Sequence, residues 1–264
     1  MSAPLWSSRD GALSYSEVID RAARARVVLL GERHDRADHH RWQLHMAAGL
    51  AGRRPVALGF EMFPARVDPI LAEWVAGDLS EGDFLARVDW ATCWGFAPDL
   101  YLPLFRFCRE AGVPMFGLNA RRDLVRAVGA SGWDAAPDDL KEGLSRPAPS
   151  PAAYRRFIFD LTGGVRPNRK AQSPEDPAFD GFVAAQEVWD RAFAERLARM
   201  LAGTPDRLAI GIMGMGHVQF GGGVPWQLRD LGIAETFVAI PADAGEMPAP
   251  EAADAILRLP AVLG

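Results

Sequence analysis

Cysteine is nearly absent: Cys93 and Cys108 are the only two in 264 residues. That is too few for a disulfide-stapled scaffold or a four-thiolate metal site, so both read as core thiols. Lysine is equally scarce, with only Lys141 and Lys170. Arginine therefore carries the positive charge; guanidinium groups suit anions, although an Ala- and Arg-rich composition explains them as simply. No block of consecutive basic residues accompanies the net charge of -5, which removes the electrostatic case for a nucleic-acid partner. An apolar run long enough for a signal peptide or membrane span is also missing, since the stretch from Met1 to Arg26 carries Arg9, Asp10, Glu17 and Asp20. As it stands the chain is expected in the cytoplasm, or at the cell envelope if a leader has been removed. Solenoid-type repeats are lacking too.

What is present is apolar substance: 49% hydrophobic residues, enough to bury a sizeable core at this length. A single domain is expected, with a core over 27–240, a helical insertion over about 147–202 and a peripheral tail from Pro241. Short apolar runs at Val27–Gly31, Val56–Phe60, Val113–Leu118, Leu208–Met213 and Thr236–Ile240 read as strands of a mostly parallel sheet of about five, because strands buried on both faces lose the polar alternation. Helical lengths separate them: Asp38–Leu50, Val67–Ala76, Glu81–Val88, Leu100–Ala111, Arg121–Val128 and Trp226–Leu231. The first two strands with their helix make a βαβ unit. The fold class is therefore α/β, a central sheet flanked by helices. Within the insertion, Gly163–Pro177 is polar and rich in Gly and Pro, an ordinary surface loop or a lid.

In open parallel sheets ligands bind beyond the carboxyl ends of the strands. Four strands here run out into ligand-type residues: Gly31-Glu32-Arg33-His34-Asp35, Glu61-Met62, Asn119, and Gly214-Met215-Gly216-His217. Glu32, His34, Glu61 and His217 supply two carboxylates and two imidazoles, a set suited to a divalent Zn, Mn, Fe or Co ion and to general acid–base work. The competing structural reading pairs Glu32 with Arg33 or Arg121 and ties His217 to a backbone carbonyl. Four of the five histidines, His34, His39, His40 and His45, fall within twelve residues; clustered imidazoles can ligate haem iron or metal, and a solvated helix face is the alternative, preferred for His45. Arg121 and Arg122 follow Asn119 at a helix start, where a carboxylate or phosphate could be received. Trp90, Trp94, Phe96 and Tyr101 form an aromatic stretch that could line a flat apolar ligand or simply pack, and Tyr101 is one of three tyrosines, a side chain able to bind haem iron.

These motifs resemble the ChaN-like haem-binding uptake family of the Tiki superfamily, with TraB proteins and erythromycin esterases as distant relatives. Alongside the strand-end segments, His39-His40, Gln43, Trp94, Tyr101 with Leu102-Pro103, Asn119 with Arg121, Ala185-Gln186 with Asp190, and Gly223-Val224-Pro225 carry the resemblance, which runs from about Val27 to Ile240. It implies a ChaN-like three-layer fold and haem binding in iron uptake or handling, with His39, His40, Tyr101, Asn119 and Arg121 as candidate cofactor contacts. It also implies a possible homodimer. From the wider superfamily it implies the alternative of a metal-dependent hydrolase of esterase or peptidase type, with Glu32, His34, Glu61 and His217 as the catalytic and metal-binding set. Two departures stand out: no tyrosine aligns with the family's haem ligand, and Phe193 occupies a position where relatives often carry methionine.

Overall fold

The computed structural model describes residues 6–165, 170–246 and 248–259. Along the chain come β1 (Trp6–Ser8), β2 (Gly11–Leu13), α1 (Tyr15–Ala22), β3 (Val27–Glu32), α2 (Ala37–Ala51), β4 (Val56–Pro64), α3 (Asp68–Ala76), α4 (Glu81–Arg87), α5 (Trp90–Cys93) and α6 (Leu102–Glu110). They are followed by β5 (Met115–Asn119), α7 (Arg122–Ser131), α8 (Asp138–Lys141), α9 (Ala152–Leu161), α10 (Asp180–Met200), β6 (Leu208–Gly214), α11 (Gly223–Asp230), β7 (Thr236–Ala242) and β8 (Ala255–Arg258). Local chemistry sets several boundaries. Ser14 and Glu17 close a reciprocal capping box at the start of α1, and Gly77, in the left-handed region, ends α3.

The strands form one eight-stranded sheet in the order β2-β1-β8-β7-β3-β6-β4-β5. β3, β4, β5, β6, β7 and β8 pair in parallel, and β1 is antiparallel to both β2 and β8. The sheet is thus larger than the expected five strands, because the short β1, β2 and β8 extend one side. The tail expected at the periphery supplies β8, whose Ala255, Ile256 and Leu257 are buried. The βαβ unit also differs from its simplest form: β6 inserts between β3 and β4.

Period-two alternation builds three layers. Val28 and Leu30 of β3, with Leu58 and Phe60 of β4, enter a core under α1, α2, α3 and α6 that includes Val18, Met46, Leu71 and Phe105. Val27 and Leu29, with Ala57 of β4, enter a second core under α7, α10 and α11 that includes Val128, Leu197 and Leu228. α9 closes a smaller apolar cluster of its own with Phe179 and Val183. Residues 166–169, within the stretch expected to form a loop or lid, lie outside the described residues. No described helix is long and apolar enough to cross a membrane.

Candidate functional site

β3, β4 and β6 end side by side, and their last residues meet where the two helical layers approach the sheet edge. Glu32, the last residue of β3, has the same strand parity as Val28 and Leu30 and is 2% exposed. A buried carboxylate needs donors. Tyr101 donates its hydroxyl to Glu32 Oε1 at 2.6 Å, His34 Nδ1 lies 2.8 Å from the same oxygen, and His40 Nδ1 stands 3.0 Å from Oε2. Burial by itself would push this carboxyl up, but His34 and His40 outweigh burial and hold it at about 2. The approach of His40 is a charge contact rather than an aligned hydrogen bond, since Oε2 has no hydrogen-bond partner. Tyr101 is pushed far above its ordinary value by burial and by Glu32.

A second assembly comes from the opposite layer. The odd position of Glu61 turns it away from Phe60 toward β6, where the Gly214 amide donates to its Oε2 at 2.6 Å. His217 Nε2 stands 3.5 Å from Glu61 Oε1, and its Nδ1 is 2.6 Å from Asp190 Oδ1. Tyr154 donates to the other Asp190 oxygen at 3.0 Å, and the Gln186 amide lies 2.9 Å from His217 Nδ1. Burial works against a charged His217, yet the carboxylates of Glu61 and Asp190 raise its pKa to about 10. Asp190 moves upward, because its burial exceeds what His217 and Tyr154 return. Glu61 ends below its usual range: burial opposes this, and His217, His34 and the Gly214 amide prevail.

The same order, tyrosine to carboxylate to imidazole, therefore occurs twice, as Tyr101–Glu32–His34 and Tyr154–Asp190–His217. His34 is the more open end. Its side chain is 28% exposed, against 12% for His217. Its ring meets Trp94 edge-on at 4.8 Å and Phe96 at 5.2 Å between centroids. Burial lowers its pKa, but Glu32 and Glu61 bring it above the ordinary histidine value. The ring packs closely on Gly214: a Cβ there would lie 3.0 Å from His34 Cε1, 3.2 Å from its Nε2 and 3.5 Å from Glu61 Oε2. Only glycine at 214 allows His34 and Glu61 to approach one another this way.

All four residues expected at the centre are thus brought together. The competing pairings are not formed: Arg33 turns to Asp243 and Glu246, and His217 is held by carboxylates. Of the candidate cofactor contacts, His40 and Tyr101 stand behind Glu32 with rings 4.2 Å apart. Asn119 donates to the Glu61 carbonyl at 2.7 Å, and Arg121 lines a neighbouring cleft. His39 turns away, accepting from the Arg33 amide at 3.0 Å and facing Asp243 at 3.2 Å. Tyr101 is fully buried with its hydroxyl committed to Glu32, so it positions that carboxylate instead of facing a ligand.

The sequence analysis gave Gln186 and Asp190 only as part of the resemblance, with no role at the site, and assigned none to Tyr154. Gln186 and Asp190 are one helical turn apart, and that spacing of polar residues among apolar ones on the buried face of α10 was the available signal. Among the described residues no group of three or more His, Cys, Asp and Glu is arranged to hold a metal ion. The reason is local: Glu32 Oε1 is taken by Tyr101 and His34, Oε2 faces His40, and Asp190 and Glu61 hold the two nitrogens of His217, so the donor set as placed does not fit a divalent cation.

A model of the family described as haem-binding uptake, Tiki superfamily, ChaN, matches residues 18–228. Among solved structures, the fold is similar to ChaN of Campylobacter jejuni, described for cofacial heme binding, at 16% identity and a TM-score of 0.66, covering 93% of this chain and 91% of that one. It is also similar to the type III effector HopBA1, at 13% identity and a TM-score of 0.54, covering 91% and 90%. A variant of the erythromycin esterase EreC in its open conformation follows at 13% identity and a TM-score of 0.47, covering 97% and 82%. No curated protein matches the sequence.

Proposed function

The chain belongs to the ChaN family of haem-binding uptake proteins in the Tiki superfamily, and from that premise we propose that it binds haem at the sheet edge, with His34 facing the iron. The observation that carries this reading is the geometry of His34. Its Nδ1 is anchored on a buried carboxylate, its Nε2 makes no hydrogen bond among the described residues on a side chain that is 28% exposed, and Trp94 and Phe96 flank it. A carboxylate behind an imidazole fixes the tautomer and raises the basicity of the free nitrogen. Aromatic surface beside it suits a flat apolar ring. Haem, when bound, would supply the iron chemistry; the chain's own residues hold the imidazole and shield one face. Neither buried tyrosine offers a free hydroxyl, and Tyr15 donates to the His45 carbonyl on the outer side of α2. The homodimer implied by the family resemblance belongs to the same proposal.

The test is titration with hemin, followed in the Soret region and by light scattering. Wild type gains a saturable band and, on loading, the mass of a dimer; His34→Ala loses the band while retaining its far-ultraviolet circular dichroism. An unchanged band in that variant sinks the assignment of His34.

A second reading, hydrolysis of an ester or peptide, is favoured by the doubled tyrosine–carboxylate–imidazole arrangement. In this reading His34 Nε2 takes the proton from a water that attacks the carbonyl, and His217, held protonated between two carboxylates, faces the negative charge developing on oxygen. No metal step is assigned. It predicts turnover of a nitrophenyl ester that disappears in both His34→Ala and His217→Ala and, in wild type, rises with pH through the elevated pKa of His34.

A further inference from the structure

Beyond the carboxyl ends of β4 and β5 lies a cleft of about 400 Å³ that the acid–histidine centre does not use. Its walls include Met62, Cys93, Asn119, Arg66, Arg121 and Arg122. Two pairs of sequence neighbours divide it from the centre. Glu61 faces His217 while Met62 lines the cleft, and Trp94 packs on His34 while Cys93 lines the cleft. The two spaces therefore share a wall that is one residue thick.

The cleft's polar groups are short of partners. Arg66 and Arg122 form no ion pair among the described residues; Arg122 spends one donor on the Cys93 carbonyl at 2.9 Å, leaving the rest of its guanidinium fork free. Arg121 is 3.8 Å from Asp123, an acid that Arg126 also approaches at 3.5 Å. α7 starts here without a side-chain cap, so its first-turn amides point outward unpaired. Asn119 Oδ1 is buried with no hydrogen-bond partner. Asp89, Asp123 and Glu142 line the same cleft, and their repulsion makes a free anion bind there more weakly than a tethered one, at higher concentration. An anion tethered to a body already seated next door is delivered past that repulsion.

We propose that this cleft is an anion subsite that receives a carboxylate or phosphate arm of the ligand whose apolar body lies over His34, Trp94 and Phe96. Arg66 and Arg122 grip the arm. The proposal rests on the haem reading only for the identity of the body; the chemistry of the arm follows from the cleft.

The experiment compares hemin with its dimethyl ester, which keeps the ring and removes both carboxylates, in wild type and in Arg66→Gln/Arg122→Gln. Arg66→Gln alone serves as a second variant, because that side chain is exposed and has no ion pair to lose. Wild type is expected to favour hemin over the ester by about tenfold or more, the scale of a charge-assisted contact. In the double variant the affinity for hemin falls to that for the ester, and in Arg66→Gln part of the preference goes. Equal binding of the two porphyrins by wild type, or a preference that survives the double substitution, overturns the proposal. If neither porphyrin binds, the haem reading fails and inorganic phosphate decides the subsite. A saturable rise in Tm with phosphate, absent from the double variant, upholds it, and identical responses overturn it.

Discussion

Both ring nitrogens of His40 face acceptors: Nε2 the His34 carbonyl at 3.1 Å, Nδ1 the Glu32 carboxylate at 3.0 Å and the Gln43 amide oxygen at 3.2 Å. Gln43 gives its own amide to the Leu30 carbonyl, which fixes which end accepts. His40 therefore carries both protons, consistent with its raised pKa, in which burial is overcome by Glu32. The pair is buried on both sides, so Glu32→Ala strands a cation and is expected to cost about 3–5 kcal/mol in urea unfolding. Tyr101→Phe removes one charge-assisted bond and is expected to cost about 1.5–3 kcal/mol; costs in the reverse order would contradict this account. The pH dependence has two limbs. Glu32 has a folded pKa of about 2 against 4.5 for the free group, so its contribution, on the order of 3 kcal/mol, is complete above pH 4.5 and lost as pH falls toward 2. His217 has a folded pKa of about 10 against 6.5, so its contribution is complete below pH 6.5 and lost as pH rises through 10. Urea midpoints are expected to fall on both sides of about pH 5–6, and a flat profile between pH 6 and 10 would remove the claim for His217. Glu32, His34, Glu61 and His217 were legible because strand ends announce themselves. Asp190 stood out only through the family resemblance and Tyr154 had no role assigned, because both project from helices, where one acid or tyrosine looks like any other.

Among the elements, β3 to β7 were readable as unbroken apolar runs, and most helices as the lengths between them. β1 and β2 have three residues each and β8 four, too few to show a pattern apart from their neighbours. The insertion of β6 between β3 and β4 was equally invisible, since adjacency in a parallel sheet is decided by how helices pack and not by strand composition. α11 shows how tightly an element can be tied to the site. It begins at Gly223, with φ +57°, where a Cβ would collide with the His217 carbonyl. Gly223→Ala therefore combines backbone strain with a clash and is expected to cost about 1–3 kcal/mol. Because the displaced atoms belong to His217, hemin affinity or esterase rate, whichever the protein shows, should fall as well. A variant that loses stability but keeps a full-strength site would show that α11 and His217 move independently.

At the scale of the whole molecule, two apolar layers share one sheet, and we propose that they unfold together as a single domain. One coincident transition by circular dichroism and tryptophan fluorescence is the expected result, and two separated transitions would divide the chain. A ligand at the sheet edge touches residues from both layers, so hemin at about one hundred times its Kd should add about 2.7 kcal/mol and raise Tm by roughly 5–10 °C. The strand order carries one more consequence. Glu32 and Glu61 stand on strands made early in synthesis, yet β3 and β4 are joined only through β6, which begins at Leu208. A ribosome that has released the first two hundred residues has presented both carboxylates and no strand to unite them. The nascent chain must carry β3 and β4 apart, their facing edges exposed, until β6 is made and brings the two carboxylates together, with β7 and β8 still to join the sheet.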